Sequence, residues 1–320
     1  MTEPLVSVVI PTYNRAHLLP ECLDSVLSQD FGPFEIIVVD DGSTDNTSEV
    51  LARYGDRVIS VRQSNTGVAG ARNLGVRVAR GALVAFHDSD DKMLPGRLAA
   101  QVAFMEAHPE VAAVTGNIVV QGSEPINYLK QSGLEFGGRP YLILERAFEK
   151  LFDHNFMANP ASMLRRDRIL DAGGYDVSLR CGEDYDLWLR MARRWPLAAM
   201  DFPCTWVRQH AGSLTVTSLP MAYLVKIMDR AFNTGEPLGQ RTLERVMRRY
   251  ARRVWGYIQY NLMERPEPDW QAQARYFARR LSWPRRLGVG LLVGLPPALL
   301  RFVLRLFSGL RAVRKRARRQ

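Results

Sequence analysis

The chain has 320 residues, 47% of them hydrophobic, and a formal net charge of +10. This length suits one large domain or a domain with an appendage. Its three cysteines have no CxxC spacing, which excludes a disulfide framework and a cysteine zinc site and favours a reducing compartment. The amino terminus shows no signal-peptide pattern, so we expect a cytoplasmic location.

The charge is unevenly distributed along the chain. Residues 1–220 contain 21 Lys and Arg against 27 Asp and Glu, whereas residues 221–320 contain 22 against 6. We therefore predict a mildly acidic domain over 1–220 and a strongly basic C-terminal region over 221–320. A binding partner that is attracted by the positive charge would therefore contact the C-terminal region.

Strand and helix patterns alternate along the first ninety residues. β-Branched and apolar runs predict strands at 6–10, 35–39, 57–62 and 82–86, and helical spacing predicts helices at 18–27 and 65–79. We expect Pro11 to end the first strand. This alternation predicts parallel βαβ units, and hence an α/β fold with a doubly wound, mostly parallel sheet and flanking helices.

Clustered acids follow the predicted strand at 82–86. Asp88, Asp90 and Asp91 lie within four residues of one another, at the carboxyl end of that strand. Ligands of open α/β sheets bind at this edge, and Mg²⁺ or Mn²⁺ favours one or two carboxylates together with substrate phosphates. The sequence therefore predicts a divalent metal site. The alternative is an acidic turn that caps a helix starting near Pro95.

Three other nucleotide or metal sites are excluded by their missing residues. The turn after the first strand, residues 11–15, lacks the glycines of a dinucleotide-binding turn, and the chain has no GxxxxGK[ST] loop. The segment that starts at Asp40 has Asp45 at its sixth position and Leu51 at its twelfth, where an EF-hand loop has a glycine and a glutamate.

Five segments, taken together, resemble the family 2 glycosyltransferases of GT-A fold. They are Val6–Arg15 (VSVVIPTYNR), Asp40–Thr47 (DDGSTDNT), Asn65–Gly75 (NTGVAGARNLG), Phe86–Asp91 (FHDSDD) and Gly182–Arg190 (GEDYDLWLR). They occur in the family's order within residues 5–215. The resemblance implies an inverting transferase that uses a nucleotide-diphospho-sugar donor.

The resemblance also implies a donor site and a metal site. The donor-binding positions are Pro11, Tyr13, Asn14, Arg15, Asp41, Arg72, Asp88 and Ser89. Asp88-Ser89-Asp90 matches the family's DxD motif, in which Asp90 is the candidate for direct coordination of Mn²⁺ or Mg²⁺. Asp88 lies closer to the ribose or a metal-bound water. His210 matches a histidine that reaches the metal or the diphosphate, although a structural role is equally open.

Glu183-Asp184 matches the family's ED pair, which implies that Asp184 is the general base toward an acceptor hydroxyl. A carboxylate at a helix start also suits a capping role, which is the structural alternative. Glu183, Ser162 and Tyr175 are candidates for acceptor binding, with core or turn roles equally open for the last two. Residues 120–150 match no family motif, and we predict an acceptor loop there.

Processive members of the family carry a QxxRW motif. This chain has Arg194-Trp195 without the glutamine and close to Asp184, so we expect one sugar, or few, to be added. The alternative from another class is a non-catalytic, membrane-associated protein that binds a sugar nucleotide. A nucleotidyltransferase is disfavoured because no glycine- and lysine-rich triphosphate loop is present.

The C-terminal region has the composition of an interfacial membrane anchor. Helical spacing covers 221–262, residues 287–300 are uncharged but interrupted by Pro296-Pro297, and the last ten residues include six Lys or Arg. We predict that 287–320 binds the anionic inner face of the cell membrane, where polyprenyl-linked acceptors lie. An oligomer contact is the alternative. The charge alone would allow a nucleic-acid role, but nothing resembles a recognition fold and few aromatic residues are interleaved with the basic ones, so we expect no nucleic-acid binding.

Overall fold

The computed structural model describes residues 3–122 and 128–209, with seven single residues between 223 and 247. The chain divides into two compact units, Met1–Leu219 and Pro220–Gln320. The seven described residues of the second unit are helical. The predicted amphipathic segment 287–320 lies outside the described residues.

The first unit is built from alternating strands and helices. The strands are β1 (Val6–Thr12), β2 (Phe34–Asp40), β3 (Ile59–Arg62), β4 (Leu83–Phe86), β5 (Lys92–Met93), β6 (Ala113–Val120), β7 (Tyr141–Leu144), β8 (Ser162–Arg165) and β9 (Leu197–Val207). The helices are α1 (Leu19–Leu27), α2 (Thr47–Ala52), α3 (Val68–Val78), α4 (Arg97–Ala107), α5 (Tyr128–Gln131), α6 (Ala147–Asp153), α7 (Arg166–Asp171) and α8 (Glu183–Ala192).

One sheet runs through this unit in the order β3-β2-β1-β4-β8-β6-β9-β5, with β7 paired to β9. The strands β3, β2, β1 and β4 are mutually parallel. The α/β class and the predicted parallel arrangement are thereby confirmed. The other half is mixed, because β8 runs antiparallel to both β4 and β6, while β6 and β9 are parallel.

The central strands are covered by helices on both faces. Val8 of β1 packs in one apolar cluster with Leu19 and Leu23 of α1. On the other face, Gly75 lets α3 approach β1 closely, because an added Cβ would lie 2.3 Å from Val9 Cγ1. Strands buried on both faces are continuous apolar runs, as the sequences of β1, β2 and β4 are.

β1 continues past the proline that we expected to end it. Pro11 and Thr12 pair with Val39 and Asp40 of β2, whereas the pairing of β1 with β4 stops at Val9. Pro11 therefore lies where β1 pairs with β2 alone. The missing N–H of Pro11 does not interrupt the part of β1 that has hydrogen-bonded strands on both sides.

The carboxyl ends of β1, β2 and β4 lie at one edge of the sheet. Because the three strands are parallel neighbours, the loops that follow them at 13–18, 41–46 and 87–91 meet there. None of the described helices combines the length and apolarity needed to cross a membrane.

Candidate active site

The acidic loop that follows β4 consists of residues 88–91. Its backbone closes in a turn, with Asp91 N donating to Asp88 O at 3.2 Å. Ser89 and Asp91 are buried, whereas the Asp90 side chain is 20% exposed and that of Asp88 31% exposed. The two carboxylates of the DxD motif, those of Asp88 and Asp90, are therefore partly exposed to solvent.

The base of this loop is fixed by a buried arginine that the sequence analysis did not identify. Arg97 is completely buried and donates to the carbonyl oxygens of Phe86 at 2.9 Å, Ser162 at 3.1 Å and Pro160 at 2.5 Å. It also donates to Thr205 Oγ1 at 3.0 Å. Arg97 thereby connects the end of β4 to β8 and β9.

Crowding of the acids makes the loop a favourable place for a cation. Burial, followed by the charge of Asp88, raises the pKa of Asp91 to about 8. Burial also raises the pKa of Asp88 above its usual value, against the opposing charge of Arg72. A positive ion among these groups would relieve their repulsion.

The donor set fits a divalent ion that shares its coordination with phosphate. Asp88 and Asp90 supply two carboxylates, as Mg²⁺ and Mn²⁺ sites with substrate phosphates do. Within residues 3–122 and 128–209, no group of three or more His, Cys, Asp or Glu is arranged to hold a metal by itself. His210 lies outside the described residues.

The predicted donor loops after β1 and β2 are tied to each other. Asn14, at a φ of 52°, donates its N–H to Ser43 Oγ at 2.9 Å, and its side-chain oxygen accepts from Thr44 N at 2.8 Å. Tyr13 is 45% exposed beside it, whereas Pro11 is buried. The Tyr13 ring is therefore the accessible flat surface of this loop.

Arg15 connects the β1 loop to the acidic loop, with its Nε 3.9 Å from Asp90 Oδ2. Asp41 is buried and accepts from Thr66 N at 2.9 Å and Gly67 N at 2.8 Å. Asp41 thereby fixes the segment that leads into α3. All the predicted donor residues thus lie in or beside the three loops at this edge.

Arg72 joins the acidic loop to the ED pair. Its Nη2 donates to Asp88 Oδ1 at 3.0 Å, and its Nη1 donates to Glu183 Oε1 at 2.6 Å. Arg72 belongs to α3 and Glu183 to α8, so this buried guanidinium brings together segments 111 residues apart. Its predicted nucleotide contact stays a prediction.

Asp184 is half-buried in the first turn of α8. This helix begins directly after Gly182, whose φ is 72°. One oxygen of the Asp184 carboxylate accepts from Tyr185 N at 2.7 Å. Burial, followed by the charge of Glu183, raises the pKa of Asp184 to about 7. A carboxylate with this pKa both ionises near neutral pH and binds a proton well.

Two of the predicted acceptor residues are placed in the interior. Ser162 is completely buried and donates to Ala158 O at 2.7 Å. Tyr175 is 2% exposed, with its ring edge-on to Phe86 and beneath the Arg72 guanidinium. This burial agrees with the core role that the sequence left open for Ser162 and Tyr175, and their predicted contact with the acceptor stays a prediction. Glu183 is likewise buried, against Arg72.

A different tyrosine, Tyr128, faces Asp184. Tyr128 begins α5, inside the predicted acceptor loop 120–150, and donates to Asn155 O at 2.7 Å. Burial, followed by the charge of Asp184, raises the pKa of Tyr128 to about 12. The sequence analysis missed this residue because no family motif covers it.

Arg208, just after β9, attaches to the acidic loop as well. Its backbone N–H donates to Asp91 Oδ1 at 3.0 Å, and its Nε donates to Asp90 O at 3.2 Å. The segment that leads to His210 is therefore fastened next to the DxD motif.

The fold is that of the GT-A glycosyltransferases. In fold, the chain is similar to Staphylococcus aureus TarS 1–349 in complex with UDP-GlcNAc, with a TM-score of 0.71 at 18% identity over 88% of this chain and 82% of that one. It is also similar to the mannosyltransferase PcManGT of Pyrobaculum calidifontis in complex with GDP-Man and Mn²⁺, with a TM-score of 0.54 at 21% identity over 94% and 86% of the two chains.

The sequence comparisons define the family. The model of Glycosyl transferase family 2 matches residues 7–172, slightly more than half of the chain. An uncharacterized Mycobacterium tuberculosis protein is 32% identical over 71% of this chain and 74% of its own length. The chain belongs to glycosyl transferase family 2, and it is a glycosyltransferase.

Two further relatives carry informative names. An uncharacterized glycosyltransferase of Rickettsia conorii is 30% identical over 72% of this chain, and the match spans only 37% of that protein. A Mycobacterium bovis protein named PGL/p-HBAD biosynthesis glycosyltransferase is 32% identical over 59% of this chain and 70% of its own length.

Proposed function

We propose that the protein transfers a sugar from a nucleoside diphosphate donor to a hydroxyl group of a glycan or lipid-linked saccharide, with inversion at the anomeric carbon. It adds one sugar, or few, and Asp184 is the general base. The observation that carries the proposal is the Arg72 guanidinium, which contacts both Asp88 and Glu183. This bridge supports a single site that contains the acids of the DxD motif and the base candidate.

The donor side rests on the three loops at the carboxyl edge of the sheet. Tyr13 offers an exposed ring for a nucleobase, and Arg15 lies next to Asp90. The structural neighbours were solved with UDP-GlcNAc and with GDP-Man and Mn²⁺, which supports a nucleoside diphosphate sugar here. A divalent ion held by Asp90 and Asp88 would supply Lewis-acid stabilisation of charge on the diphosphate.

The acceptor side supplies the proton transfer. The Asp184 carboxylate takes the proton of the acceptor hydroxyl while the hydroxyl oxygen forms a bond to the anomeric carbon. The bond from that carbon to the diphosphate oxygen breaks on the opposite face, and its electron pair leaves with the nucleoside diphosphate. A single displacement inverts the centre and requires no covalent nucleophile.

The base assignment predicts an acid limb in the pH profile. Asp184 has a pKa of about 7 and acts only when ionised. We therefore expect kcat/KM to fall by about tenfold per pH unit as pH drops below this value. Initial rates between pH 5 and 9 measure it. A limb near pH 4, where an ordinary aspartate titrates, would contradict the assignment.

We also propose that the basic C-terminal region holds the enzyme at the cytoplasmic face of the cell membrane. Residues 221–320 contain 22 Lys and Arg against 6 Asp and Glu. We expect the protein to sediment with vesicles that contain phosphatidylglycerol, and to be released by high salt because the attraction is electrostatic. Equal binding to pure phosphatidylcholine vesicles would contradict this.

A further inference from the structure

The Arg72 guanidinium is bound by three side chains of the protein itself. Two of its nitrogens donate to Glu183 Oε1 and Asp88 Oδ1, at 2.6 and 3.0 Å. The amide oxygen of Asn159, in the orientation that satisfies its neighbours, accepts from Arg72 Nε at 3.1 Å. The guanidinium therefore uses its planar fork to contact three groups on three segments, which an ammonium group would not reproduce.

A second layer of contacts fixes the plane of this guanidinium. The Tyr175 ring lies beneath it, with the Arg72 Cζ 5.5 Å from the ring centroid. The Asn73 side chain exchanges two hydrogen bonds of 2.8 Å with the backbone of Tyr175. The Asn159 amide nitrogen donates to the Tyr175 hydroxyl at 2.8 Å. Tyr175 thus acts as a buried platform for Arg72.

The charges around this platform are unbalanced. Asp88, Glu183 and Asp184 all act on Arg72, and Arg72 is the cation that acts most strongly on the Asp184 carboxyl. The titratable groups that face Asp184 are Glu183 on α8, Arg72 on α3, Asp88 in the acidic loop, Tyr128 on α5, Tyr175 and Cys181. Removal of an acid therefore makes the surroundings of Asp184 less negative, whereas removal of Arg72 makes them more negative.

We propose that Arg72 is a positioning residue that couples the two carboxylate motifs of the site. It holds Asp88 and Glu183 on either side of itself and sets the charge around Asp184. Through Glu183 it fixes the first turn of α8, and with it the direction in which Asp184 points. The donor half and the acceptor half of the site are thereby joined by one buried side chain.

The inference rests on the proposed function, in which Asp184 is the base, but its test requires no turnover. The titration of Asp184 is followed by ¹³C NMR of protein labelled at the aspartate carboxyl carbon. The Asp184 signal is assigned by its absence from the Asp184→Asn variant. Failure of the proposed function would appear separately, as a lack of sugar transfer by the wild-type protein.

Two variants are expected to move this titration in opposite directions. Arg72→Met removes the cation, so the Asp184 pKa rises above its wild-type value of about 7. Glu183→Gln removes the neighbouring negative charge and keeps the side-chain shape, so the Asp184 pKa falls by about one unit. Arg72→Lys, which keeps the charge but not the fork, gives a smaller rise than Arg72→Met.

Arg190→Met is the matched control. Arg190 is another partly buried arginine that binds a carboxylate, with its Nε 2.9 Å from Asp186 Oδ2, but it is not among the groups that act most strongly on Asp184. We expect this variant to lower the unfolding temperature and to leave the Asp184 titration unchanged. It separates general destabilisation from the proposed coupling.

Shifts of opposite sign in Arg72→Met and Glu183→Gln support the inference. Shifts of the same sign, or an unchanged titration in both folded variants, overturn it. If Arg72→Met does not fold, Glu183→Gln decides alone: a lowered Asp184 pKa supports the coupling, and an unchanged one overturns it.

Discussion

Asp184→Asn is expected to lower the rate of sugar transfer by about three orders of magnitude, because the acceptor hydroxyl loses its proton acceptor. The change is isosteric, and the amide oxygen retains the ability to accept the Tyr185 N–H bond that the carboxylate makes. Asp184 belongs to α8 and not to the loops after β1 and β2. Nucleotide binding, measured by calorimetry with Mn²⁺, should therefore stay close to wild type.

Asp186→Asn provides the control on the same helix. Asp186 is buried and binds Arg190, so this variant loses an ion pair of the interior and not the base. We expect it to unfold at a lower temperature but to transfer sugar at temperatures where it is folded. Full activity of Asp184→Asn would refute the base assignment.

Asp90→Ala is expected to weaken metal-dependent nucleotide binding by at least ~100-fold, since even the residues that support metal ligands cost up to this factor. The Asp90 carboxylate is accessible at 20% exposure and stands opposite Arg15. The match to the family's DxD motif makes Asp90 the candidate for direct coordination of the metal. Titration of UDP, dTDP and GDP, with and without Mn²⁺, measures the loss.

Glu21→Gln is the matched control for this experiment. Glu21 is a surface carboxylate of α1 that binds Lys92 and Arg208 near the acidic loop. Its loss removes one negative charge from the same neighbourhood without touching the DxD motif. Equal weakening by Glu21→Gln and Asp90→Ala would mean that bulk charge, and not coordination by Asp90, governs nucleotide binding.

The parallel half of the fold was predictable because the sequence patterns that specify its strands and helices are local. The apolar runs of β1, β2 and β4 and the intervening helical spacing each lie within a dozen residues. The mixed half was not predictable in this way. β8 inserts between β4 and β6, and its pairing with β4 joins Leu83 to Arg165, far apart in the chain.

The same difference between local and long-range information applies to the candidate site. Motifs identified the acids at 88–91 and the pair Glu183-Asp184, which the structure brings to one place through Arg72. The partners of Arg72 were not predictable, since a salt bridge across 111 residues leaves no pattern in the sequence. The burial of Ser162 and Tyr175 was not predictable either, because no sequence pattern shows the partners that satisfy their hydroxyl groups in the fold.

The most direct test of the central claim is the release of nucleoside diphosphate from UDP-, dTDP- and GDP-sugars in the presence of Mn²⁺ and a membrane fraction that contains acceptors. We predict release from one donor class by the wild-type protein, and its loss in Asp184→Asn. Nucleotide binding by the wild-type protein without release from any donor would contradict the account and leave a non-catalytic sugar-nucleotide-binding protein.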